Sequence, residues 1–442
     1  MTKTKDEVLA IIDEKKVKYI RLWFTDILGQ LKGMSITRGE IEHVLDDGQG
    51  FDGSSIEGFV RIEESDLLAM PDLKTFRILP WSVNDEKVAL FICDVLKPDG
   101  TPFVGDPRYV LKRVLAKAAE KGWSFFCGPE LEYFYFPKKD DVTPLDEGGY
   151  FDYSTVSVGT RMRKIAATAL ETMGIPVECT HHEVAPSQHE IDLRYQEALV
   201  MADMVMFYRL TVKELAQREG YYATFMPKPI FGENGSGMHV HQSLFNGERN
   251  IFFDPQEARY HLSAEARHYV GGVFRYVKEI CLVLSQWVNS YKRLVPGYEA
   301  PAYISWGTRN RSALVRVPEY KPGKEKATRI EVRSPDPACN PYLAFAMMLA
   351  AGLKGIKEKT EPPPPEEKDI FAMSAEERKE LNIDCLPGSL EEAIREFEKS
   401  QLAQETLGDH IFHSLIANKK VEWDRYRVHV GDYELKKYLP WL

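Results

Sequence analysis

Residues 125–136 read FFCGPELEYFYF and give the clearest indication of how this chain folds. Successive side chains of a β-strand point to opposite faces of the sheet, so residues i and i+2 project together. Glu130 and Glu132 therefore share one face, while Leu131 and Tyr133 share the other. Aromatic residues flank the two carboxylates and leave little of this strand for solvent. The stretch predicts a strand that carries a pair of carboxylates inside the protein.

Three further segments place charged or polar side chains at alternate positions. They are HEIDL (189–193), MHVHQS (238–243) and RIEVR (329–333), and Glu183 lies just upstream of the first in HHE (181–183). Each segment taken alone is equally well explained as an edge strand with its charged face in water. Taken together, the four segments predict one sheet with a polar inner face.

A sheet of this kind would bring together Glu130, Glu132, Glu183, Glu190 and Glu331. Neighbouring carboxylates about 7 Å apart repel by roughly 2 kcal/mol at an effective dielectric constant near 20. Several such pairs require cations. Five carboxylates and one imidazole form an oxygen-rich ligand set, which suits Mg²⁺ or Mn²⁺ better than zinc, because zinc favours Cys and His.

Arginines accompany these carboxylates. Arg309, Arg311 and Arg316 precede Arg329 and Arg333 in the sequence. Guanidinium groups bind phosphate and carboxylate oxygens bidentately, so arginines beside metal ions indicate a phosphoryl group in transfer. Taken alone, the cluster is also explained as surface charge paired with glutamates. The sequence contains no Walker A motif, no dinucleotide motif after a strand and no protein-kinase signature, so a nucleotide must be held by another fold.

Length and composition narrow the class of protein. A chain of 442 residues predicts two or more domains. The 57 Lys and Arg residues against 67 Asp and Glu give a net charge of −10, which argues against nucleic-acid binding. The N-terminus has no apolar signal region, and the longest apolar run, around residues 343–353, is too short to span a bilayer, so we expect a cytoplasmic protein without membrane contact. The six cysteines lack paired spacing and are expected to be reduced, mostly buried thiols.

The order of elements predicts a small domain followed by a large one, both of mixed α+β class. Two strands around Gly29 within residues 17–36, a short helix at 38–45 and strands at 76–79 and 88–95 form a unit that ends near Val104. Asp106 then caps a helix that begins with Pro107. The large domain alternates the polar-faced strands with long helices. We expect these helices at 160–173, 197–219, 263–290 and 341–357, and a loop over a site at 138–160.

Four motifs resemble the signatures of type I glutamine synthetase, and the resemblance extends over essentially the whole chain. FDGSS (51–55) is similar to the ammonium-site loop of that family, and KPIFGENGSGMH (228–239) is similar to its ATP-region signature. KRLVPGYEAP (292–301) resembles its flap, and NPY (340–342) follows as in relatives. Because the motifs occur in the order of the family, the chain is identified as a member of it.

The resemblance implies an architecture. Residues 1–104 are expected to form a β-grasp-like domain, and residues 105–442 a catalytic domain in which a curved antiparallel sheet with flanking helices lines the active site. It further implies a dodecamer of two stacked hexameric rings. Asp52 in the small domain would then reach the active site of a neighbouring subunit, and isolated subunits would be inactive.

The resemblance also implies roles for individual residues. One metal ion, Mg²⁺ or Mn²⁺, would lie with Glu132, Glu183 and Glu190, and another with Glu130, His239 and Glu331. Glutamate would be held by Asn234, Gly235, Arg293 and Arg333. The phosphoryl group would contact Arg311 and Arg316, and the nucleotide would contact His241, Ser243, Lys326 and Arg329. Asp52 and Glu299 would attract and deprotonate ammonium.

The implied reaction joins ammonia to the γ-carboxylate of glutamate at the expense of ATP. A carboxylate does not expel oxide to accept an amine, so γ-glutamyl phosphate must form first. Two alternatives remain: a γ-glutamyl ligase that uses a polyamine or another amine, and a non-catalytic structural or regulatory relative. Intact Asp52 and Glu299 favour ammonia, and the six filled metal-ligand positions favour an enzyme.

Two features bear on regulation. Residues 361–381 contain no tyrosine, whereas some relatives carry an adenylylated tyrosine in the corresponding loop, so that control is expected to be absent. Arg61 in GFVRIE resembles the residue through which another subgroup senses glutamine, although a solvated surface arginine explains it nearly as well. A nitrogen-regulatory protein is a further expected partner.

Overall fold

The computed structural model describes residues 3–58, 66–82, 86–154, 156–308, 310 and 312–442. The helices are α1 Lys5–Glu14, α2 Ile41–Asp47, α3 Pro107–Ala119, α4 Val158–Thr172, α5 Ala198–Arg218, α6 Ala264–Leu284, α7 Ser290–Arg293, α8 Pro341–Glu358, α9 Ala375–Glu380, α10 Leu390–Glu398, α11 Gln401–Leu407, α12 Asp409–Arg427 and α13 Asp432–Tyr438. The strands of the first sheet are β1 Val17–Thr25, β2 Leu31–Thr37, β3 Gln49–Asp52, β4 Asp66–Pro71, β5 Arg77–Ile78 and β6 Lys87–Leu96. The strands of the second sheet are β7 Ser124–Phe136, β8 Val177–His182, β9 Gln188–Leu193, β10 Gln196–Glu197, β11 Tyr222–Thr224, β12 Met238–Asn246, β13 Arg249–Asn250, β14 Tyr303–Gly307, β15 Ala313–Arg316 and β16 Ile330–Val332.

The first sheet forms the small α+β unit that the sequence predicts. Its strands run in the order β2-β1-β6-β4-β3, with β5 paired to β6. Only the pair β1–β6 is parallel among these described strands. Helix α1 packs on one face and buries Val8 and Ile12 in a core that includes Leu22 and Phe91. This helix was not predicted from the sequence.

Strand β6 connects the small unit to the rest of the molecule because both of its faces are buried. Ala89 and Phe91 lie in the core of the small unit, whereas Leu90 and Ile92 belong to the large central core together with Val110 of α3. A strand covered on both faces needs apolar residues in succession, as the run VALFIC (88–93) provides.

The second sheet carries the polar face. Its strands run in the order β14-β15-β16-β12-β7-β9-β8, and the short strands β10, β11 and β13 pair with β7 or β12. Its register places Glu130 opposite His239, Glu132 opposite Glu190, and His241 opposite Glu331. One correction applies to the expected antiparallel sheet: β14 and β15 are parallel.

The opposite face of the second sheet belongs to the central core. Leu131 and Tyr133 are fully buried there. The Tyr208 hydroxyl of α5 donates a hydrogen bond of 3.1 Å to the carbonyl oxygen of Leu131. The alternation along β7 therefore separates a dry face under the helices from a polar face, as predicted.

The helix expected at 263–290 ends earlier, at Leu284, and this expectation was wrong by about one and a half turns. The hydroxyl of Ser285 donates a hydrogen bond of 3.1 Å to the backbone carbonyl of Ser334. The side-chain amide of Gln286 donates one of 2.7 Å to the backbone carbonyl of Leu28. Tertiary hydrogen bonds thus end α6 where the local sequence would continue it. The helices that follow Ala375 were not predicted either.

The six cysteines are free thiols, in agreement with their spacing. Cys179 and Cys385 are exposed, and the other four are buried. Among the described residues, no helix has both the length and the apolar character needed to cross a membrane.

Candidate active site

The polar face of the second sheet forms one wall of a cavity of about 430 Å³. Strands β7, β8, β9, β12, β15 and β16 contribute to it, together with the loops before β12 and after α7. Twelve residues singled out in the sequence analysis line it: Glu130, Glu132, Glu183, Glu190, Asn234, Gly235, His239, Arg293, Glu299, Arg316, Glu331 and Arg333. Side chains that lie up to 203 positions apart in the chain thus meet in one place.

A second cavity of about 280 Å³ adjoins the first. The four residues expected to hold a nucleotide, His241, Ser243, Lys326 and Arg329, all line it. Glu130 lines both cavities. The two cavities therefore form adjoining compartments that share this carboxylate.

Glu130, His239 and Glu331 form the first group of potential metal ligands, with their ligand atoms all within 4.8 Å of one another. Nδ1 of His239 lies 3.6 Å from Glu130 Oε2 and 3.8 Å from Glu331 Oε1. Adjacent strands supply the three side chains, so the ladder of the sheet holds their spacing. An oxygen-rich set with one imidazole fits a hard divalent cation.

His181, Glu183 and Glu190 form the second group of ligand atoms within 4.8 Å. His181 was not predicted as a site residue, although its place in HHE, two residues before Glu183, was the available signal. Glu132, expected in this group, accepts hydrogen bonds from Gln188 Nε2 at 2.9 Å and from the Gly237 amide at 3.0 Å. Its other oxygen lies 3.8 Å from His239 Nε2, between the two groups.

The carboxylates of this cavity differ in their charge balance. Burial, followed by repulsion from Glu183, raises the pKa of Glu132 to about 8. Burial also raises the pKa of Glu183, and burial together with Asp192 raises the pKa of Glu190 far above its ordinary value. Without a cation, their surroundings disfavour the ionised form of all three carboxyl groups. A divalent cation would reverse this preference.

Glu331 behaves in the opposite way. Burial alone would raise its pKa, but Arg333, His241 and His239 lower the pKa to about 2. The Arg333 guanidinium donates to Glu331 Oε1 at 2.6 Å, and Arg316 forms an ion pair with the other oxygen. Two guanidinium groups therefore face the cavity beside a carboxylate that stays ionised.

Arg293 holds together the loops around the cavity. It is 2% exposed, and its guanidinium donates to the backbone carbonyls of Arg333, Ser334 and Pro335 at 2.9 to 3.1 Å. Gly235 packs against it, and a Cβ at this position would lie 2.4 Å from the carbonyl oxygen of Pro227. Only glycine fits this turn without displacing the chain.

Glu299 lies on the loop that follows α7. Its φ of 52° places this non-glycine residue in the left-handed region, and its charge is close enough to Glu183 to raise the pKa of that group. From the other side, Tyr150 and Phe151 of the segment expected to be a loop at 138–160 also line the cavity. The Phe151 ring centroid lies 4.7 Å from that of His181. Two loops thus cover the metal-ligand groups.

In the second cavity, a chain of hydrogen bonds fixes the tautomer of His241. Arg329 Nε donates to His241 Nδ1 at 3.1 Å, so Nε2 carries the proton and donates to Glu130 Oε1 at 2.7 Å. At the outer edge, Lys326 Nζ lies 2.8 Å from Glu248. Arg329 and Lys326 supply positive charge in this cavity, which suits an anionic ligand such as a nucleotide.

Comparison with known proteins identifies the family. A model of the glutamine synthetase catalytic domain matches residues 104–438, and a model of the glutamine synthetase β-grasp domain matches residues 16–98. The chain belongs to the glutamine synthetase family. The glutamine synthetase of Thermotoga maritima is 52% identical over 440 residues, which cover 99% of each chain.

Solved structures agree with this membership. The Plasmodium falciparum glutamine synthetase has a TM-score of 0.88 at 26% identity, with 99% of both chains covered. A structure described as "GmaS/ADP complex-Conformation 1" has a TM-score of 0.89 at 30% identity, with both chains fully covered. The fold is therefore a β-grasp N-terminal domain with a large catalytic domain of curled sheet and helices. Membership implies the use of ATP and divalent metal ions, glutamate and ammonia as substrates, and assembly into an oligomer.

Of the predicted site residues that the structure describes, Asp52 does not line these cavities. It is exposed at the end of β3, where its Oδ1 accepts a hydrogen bond of 2.8 Å from the Ser54 amide. Arg61 and Arg311 lie outside the described residues.

A larger cavity lies elsewhere. A space of about 600 Å³ is lined by the Gly29 turn, α5 and the C-terminal part of α12. We place the active site in the smaller cavity because that is where carboxylates, imidazoles and guanidinium groups converge.

Proposed function

We propose that the two adjoining cavities make glutamine in two successive steps, with ATP as the phosphoryl donor and ammonia as the amine. The observation that carries the proposal is that Glu130 lines both cavities. One of them contains the residues expected to bind the nucleotide, and the other is rich in carboxylates. Membership of the glutamine synthetase family at 52% identity over nearly the full length supports the reaction. The chain is accordingly a glutamate–ammonia ligase.

Two or more divalent cations, Mg²⁺ or Mn²⁺, are proposed per subunit. One would be held by Glu132, Glu183 and Glu190, and the other by Glu130, His239 and Glu331. The raised pKa values of the first three carboxyl groups support this, because such a set is incomplete without an added positive charge. When bound, the cations neutralise negative charge on the phosphoryl group during its transfer. His181 is a further ligand candidate beside Glu183.

For glutamate we propose Asn234, Gly235, Arg293 and Arg333. Gly235 and Arg333 line the same cavity as Asn234 and Arg293, and the missing Cβ of Gly235 allows it to pack against Arg293. The γ-carboxylate would lie where it can attack the terminal phosphate of a nucleotide bound near His241, Ser243, Lys326 and Arg329. The structure of a relative that is described as an ADP complex supports nucleotide binding by this fold.

Phosphoryl transfer calls for positive charge on the transferring oxygens. Arg316 lines the cavity and pairs with Glu331, and we propose that it contacts the phosphoryl group together with Arg311. A preorganised guanidinium next to an ionised carboxylate does not need to move when charge develops. The product is γ-glutamyl phosphate, with ADP as the leaving group.

Ammonia then attacks the acyl phosphate and expels phosphate. We propose that Glu299 takes up the proton of ammonium, since it lies on a loop over the cavity and near Glu183. Asp52 would complete the ammonium site of a neighbouring subunit, because it lies away from both cavities of its own subunit. This arrangement supports active sites between subunits, in a dodecamer of two hexameric rings.

Control by adenylylation is proposed to be absent, because residues 361–381 contain no tyrosine. Arg61 is proposed as a glutamine-sensing residue, and a nitrogen-regulatory protein as a partner. The use of ATP, glutamate and ammonia is consistent with a cytoplasmic location.

The test is an assay of the purified oligomer with ATP, glutamate and Mg²⁺. We expect one glutamine and one phosphate per ATP consumed when ammonium is supplied, and little phosphate release when it is omitted. A polyamine and methylamine serve as parallel amine substrates. Faster phosphate release with either amine than with ammonium would show that the protein is an amine ligase. No turnover with any of the three substrates would show that it is a non-catalytic relative.

A further inference from the structure

We propose that Cys179, His181 and Asp192 form a third cation site, selective for soft divalent ions of the zinc class, at the junction of the two cavities. The ligand atoms of these residues all lie within 4.8 Å of one another. Cys179 Sγ donates a hydrogen bond of 2.6 Å to Asp192 Oδ2, and His181 Nε2 lies 3.9 Å from the same oxygen. The inference goes beyond glutamine synthesis, and the geometry that supports it does not depend on that activity.

The backbone holds this set in place. Cys179 and Asp192 are partners across the antiparallel pair β8–β9, and His181 lies two residues further along β8, opposite Glu190. Residues two apart in a strand project to the same face. The three side chains therefore converge because of the strand register, and they do not depend on a flexible loop.

The spacing fits a tetrahedral ion. Zinc binds thiolate at about 2.3 Å and imidazole or carboxylate at about 2.0–2.2 Å, which puts ligand atoms roughly 3.5 Å apart. The observed separations of 2.6 and 3.9 Å lie on either side of that value. The fourth position would be left to water or to a substrate oxygen.

Binding of a cation would displace the proton that the Cys179 thiol donates to Asp192. On binding, the bond between sulfur and hydrogen breaks, a bond between sulfur and the metal ion forms, and one proton is released to solvent. No oxidant or reductant takes part.

The site differs in chemistry from the two catalytic groups. Those consist of carboxylates and one imidazole each, which suit Mg²⁺ and Mn²⁺. A thiolate ligand instead favours zinc and other soft ions over Mg²⁺. Cys179 and Asp192 belong to neither catalytic group, so in an excess of Mg²⁺ zinc bound through them would compete with Mg²⁺ only for His181.

Its location predicts an inhibitory effect. Cys179 and Asp192 line both cavities, and His181 is at the same time close to Glu183 and Glu190. An ion bound to His181 Nε2 would stand between the nucleotide compartment and the metal-ligand groups. Zinc at this point would obstruct phosphoryl transfer.

The direct test measures binding and does not require turnover. The intact oligomer is dialysed against zinc in the presence of excess Mg²⁺, as wild type, Cys179→Ser and Cys385→Ser. Cys385 is the matched control because it is the other exposed thiol. We expect one more zinc per subunit in wild type and Cys385→Ser than in Cys179→Ser. With Co²⁺ as a probe, a thiolate-to-cobalt absorption band should appear in the same two proteins and be absent from Cys179→Ser.

Equal zinc content in wild type and Cys179→Ser, or no thiolate band in wild type, would overturn the site. The inhibitory role has its own measurement, the zinc concentration that halves the Mg²⁺-supported rate, with each protein compared with its own zinc-free rate. We expect this concentration to rise at least about tenfold in Cys179→Ser, since loss of a ligand costs no less than loss of a residue that supports one. An unchanged value in a variant that has lost the extra zinc would overturn the inhibitory role. Failure of glutamine synthesis itself would leave the dialysis result standing, so the two proposals are separable.

Discussion

Two clusters of carboxylates in this chain differ in how their negative charge is compensated. Arg108 is 3% exposed and forms ion pairs with three aspartates: Asp203 at 2.9 Å, Asp72 at 2.7 Å and Asp94 at 2.5 Å. Lys112 also pairs with Asp94, and the Tyr342 hydroxyl donates to Asp203 at 2.7 Å. Two cationic side chains and a hydroxyl of the chain itself thus contact the three carboxylates, and the cluster joins the small N-terminal unit to α3, α5 and α8.

Three carboxylates of the active-site cavity lack such compensation. Glu132, Glu183 and Glu190 are buried, and burial and mutual repulsion raise their pKa values. Burial also acts on Asp72, but Arg108 and the Lys74 amide more than offset it, and the pKa of Asp72 is lowered. Burial alone therefore does not distinguish a structural cluster from a functional one. The distinguishing property is whether the protein itself supplies the opposite charge.

The largest expected effect is on catalysis, from Glu190→Gln. The substitution removes one negative charge from the cation site, and we expect the rate of glutamine formation to fall at least about 10³-fold, because cation stabilisation of the transferring phosphoryl group contributes several kcal/mol. Since it also relieves repulsion, the melting temperature of the cation-free protein should stay equal or rise. The exposed Glu197→Gln on a neighbouring strand is the control. A near-normal rate for Glu190→Gln would show that this carboxylate holds no essential cation.

The opposite result, a loss of stability, is expected from Arg108→Met, which removes the guanidinium partner of the buried Asp203 and of the partly buried Asp72 and Asp94. Breaking a buried ion pair in this way costs about 3–5 kcal/mol of unfolding free energy. Denaturant unfolding of the cation-free protein measures it. Arg395→Met is the control, because Arg395 pairs with Glu391 on the exposed surface of α10, where an ion pair contributes about 1 kcal/mol or less. Equal stability losses in the two variants would show that the Arg108 ion pairs contribute no more than an exposed one.

The acid response of the Arg108 cluster has a defined sign. Because the pKa of Asp72 is lowered in the folded state, the stabilisation from this pair is complete above the ordinary value of 3.8 and is lost as the pH falls below it. Unfolding free energy measured from pH 6 down to pH 3 should therefore decline less steeply in Arg108→Met than in the native chain.

The difference between the two clusters also explains which features of the fold and the site could be predicted from the sequence. In FFCGPELEYFYF the alternation of apolar and charged residues is a local property, so it predicted both the strand and the cavity face of Glu130 and Glu132. The ordered motifs predicted the membership of the family, which the comparisons confirm. Such features are visible because the residues that define them lie close together in the chain.

The Arg108 cluster was not predicted, because its partners lie 36 and 95 positions away and belong to segments without a polar pattern. The early end of α6 has the same origin, since it depends on hydrogen bonds to Leu28 and Ser334. His181 was missed for the same reason: it precedes Glu183 by two residues in the chain, but its approach to Glu190 depends on the pairing of β8 with β9. Long-range partners become visible only in the folded chain.

The smallest expected effect, and the most direct measure of the difference between the clusters, is the proton released when a divalent cation binds. With its pKa raised to about 8, the Glu132 carboxyl holds a proton at pH 7 in the cation-free protein, and the pKa values of Glu183 and Glu190 are raised as well. A cation binds the carboxylate form, so protons must leave as it enters. Calorimetric titration with Mg²⁺ at pH 7, in two buffers of different ionisation enthalpy, gives their number.

We expect a release of about one proton per subunit at pH 7, and less as the pH rises above about 8, where Glu132 is already ionised. Affinity for the cation should increase over the same interval, because proton and cation compete for the same oxygens. Glu132→Gln should lower the release, whereas Glu197→Gln should leave it unchanged. If the heat of binding did not depend on the buffer, the cavity carboxylates would already be ionised in the cation-free protein. Side chains of the protein would then compensate their negative charge, as Arg108 does in the other cluster. The argument that these carboxylates require an added cation would be wrong.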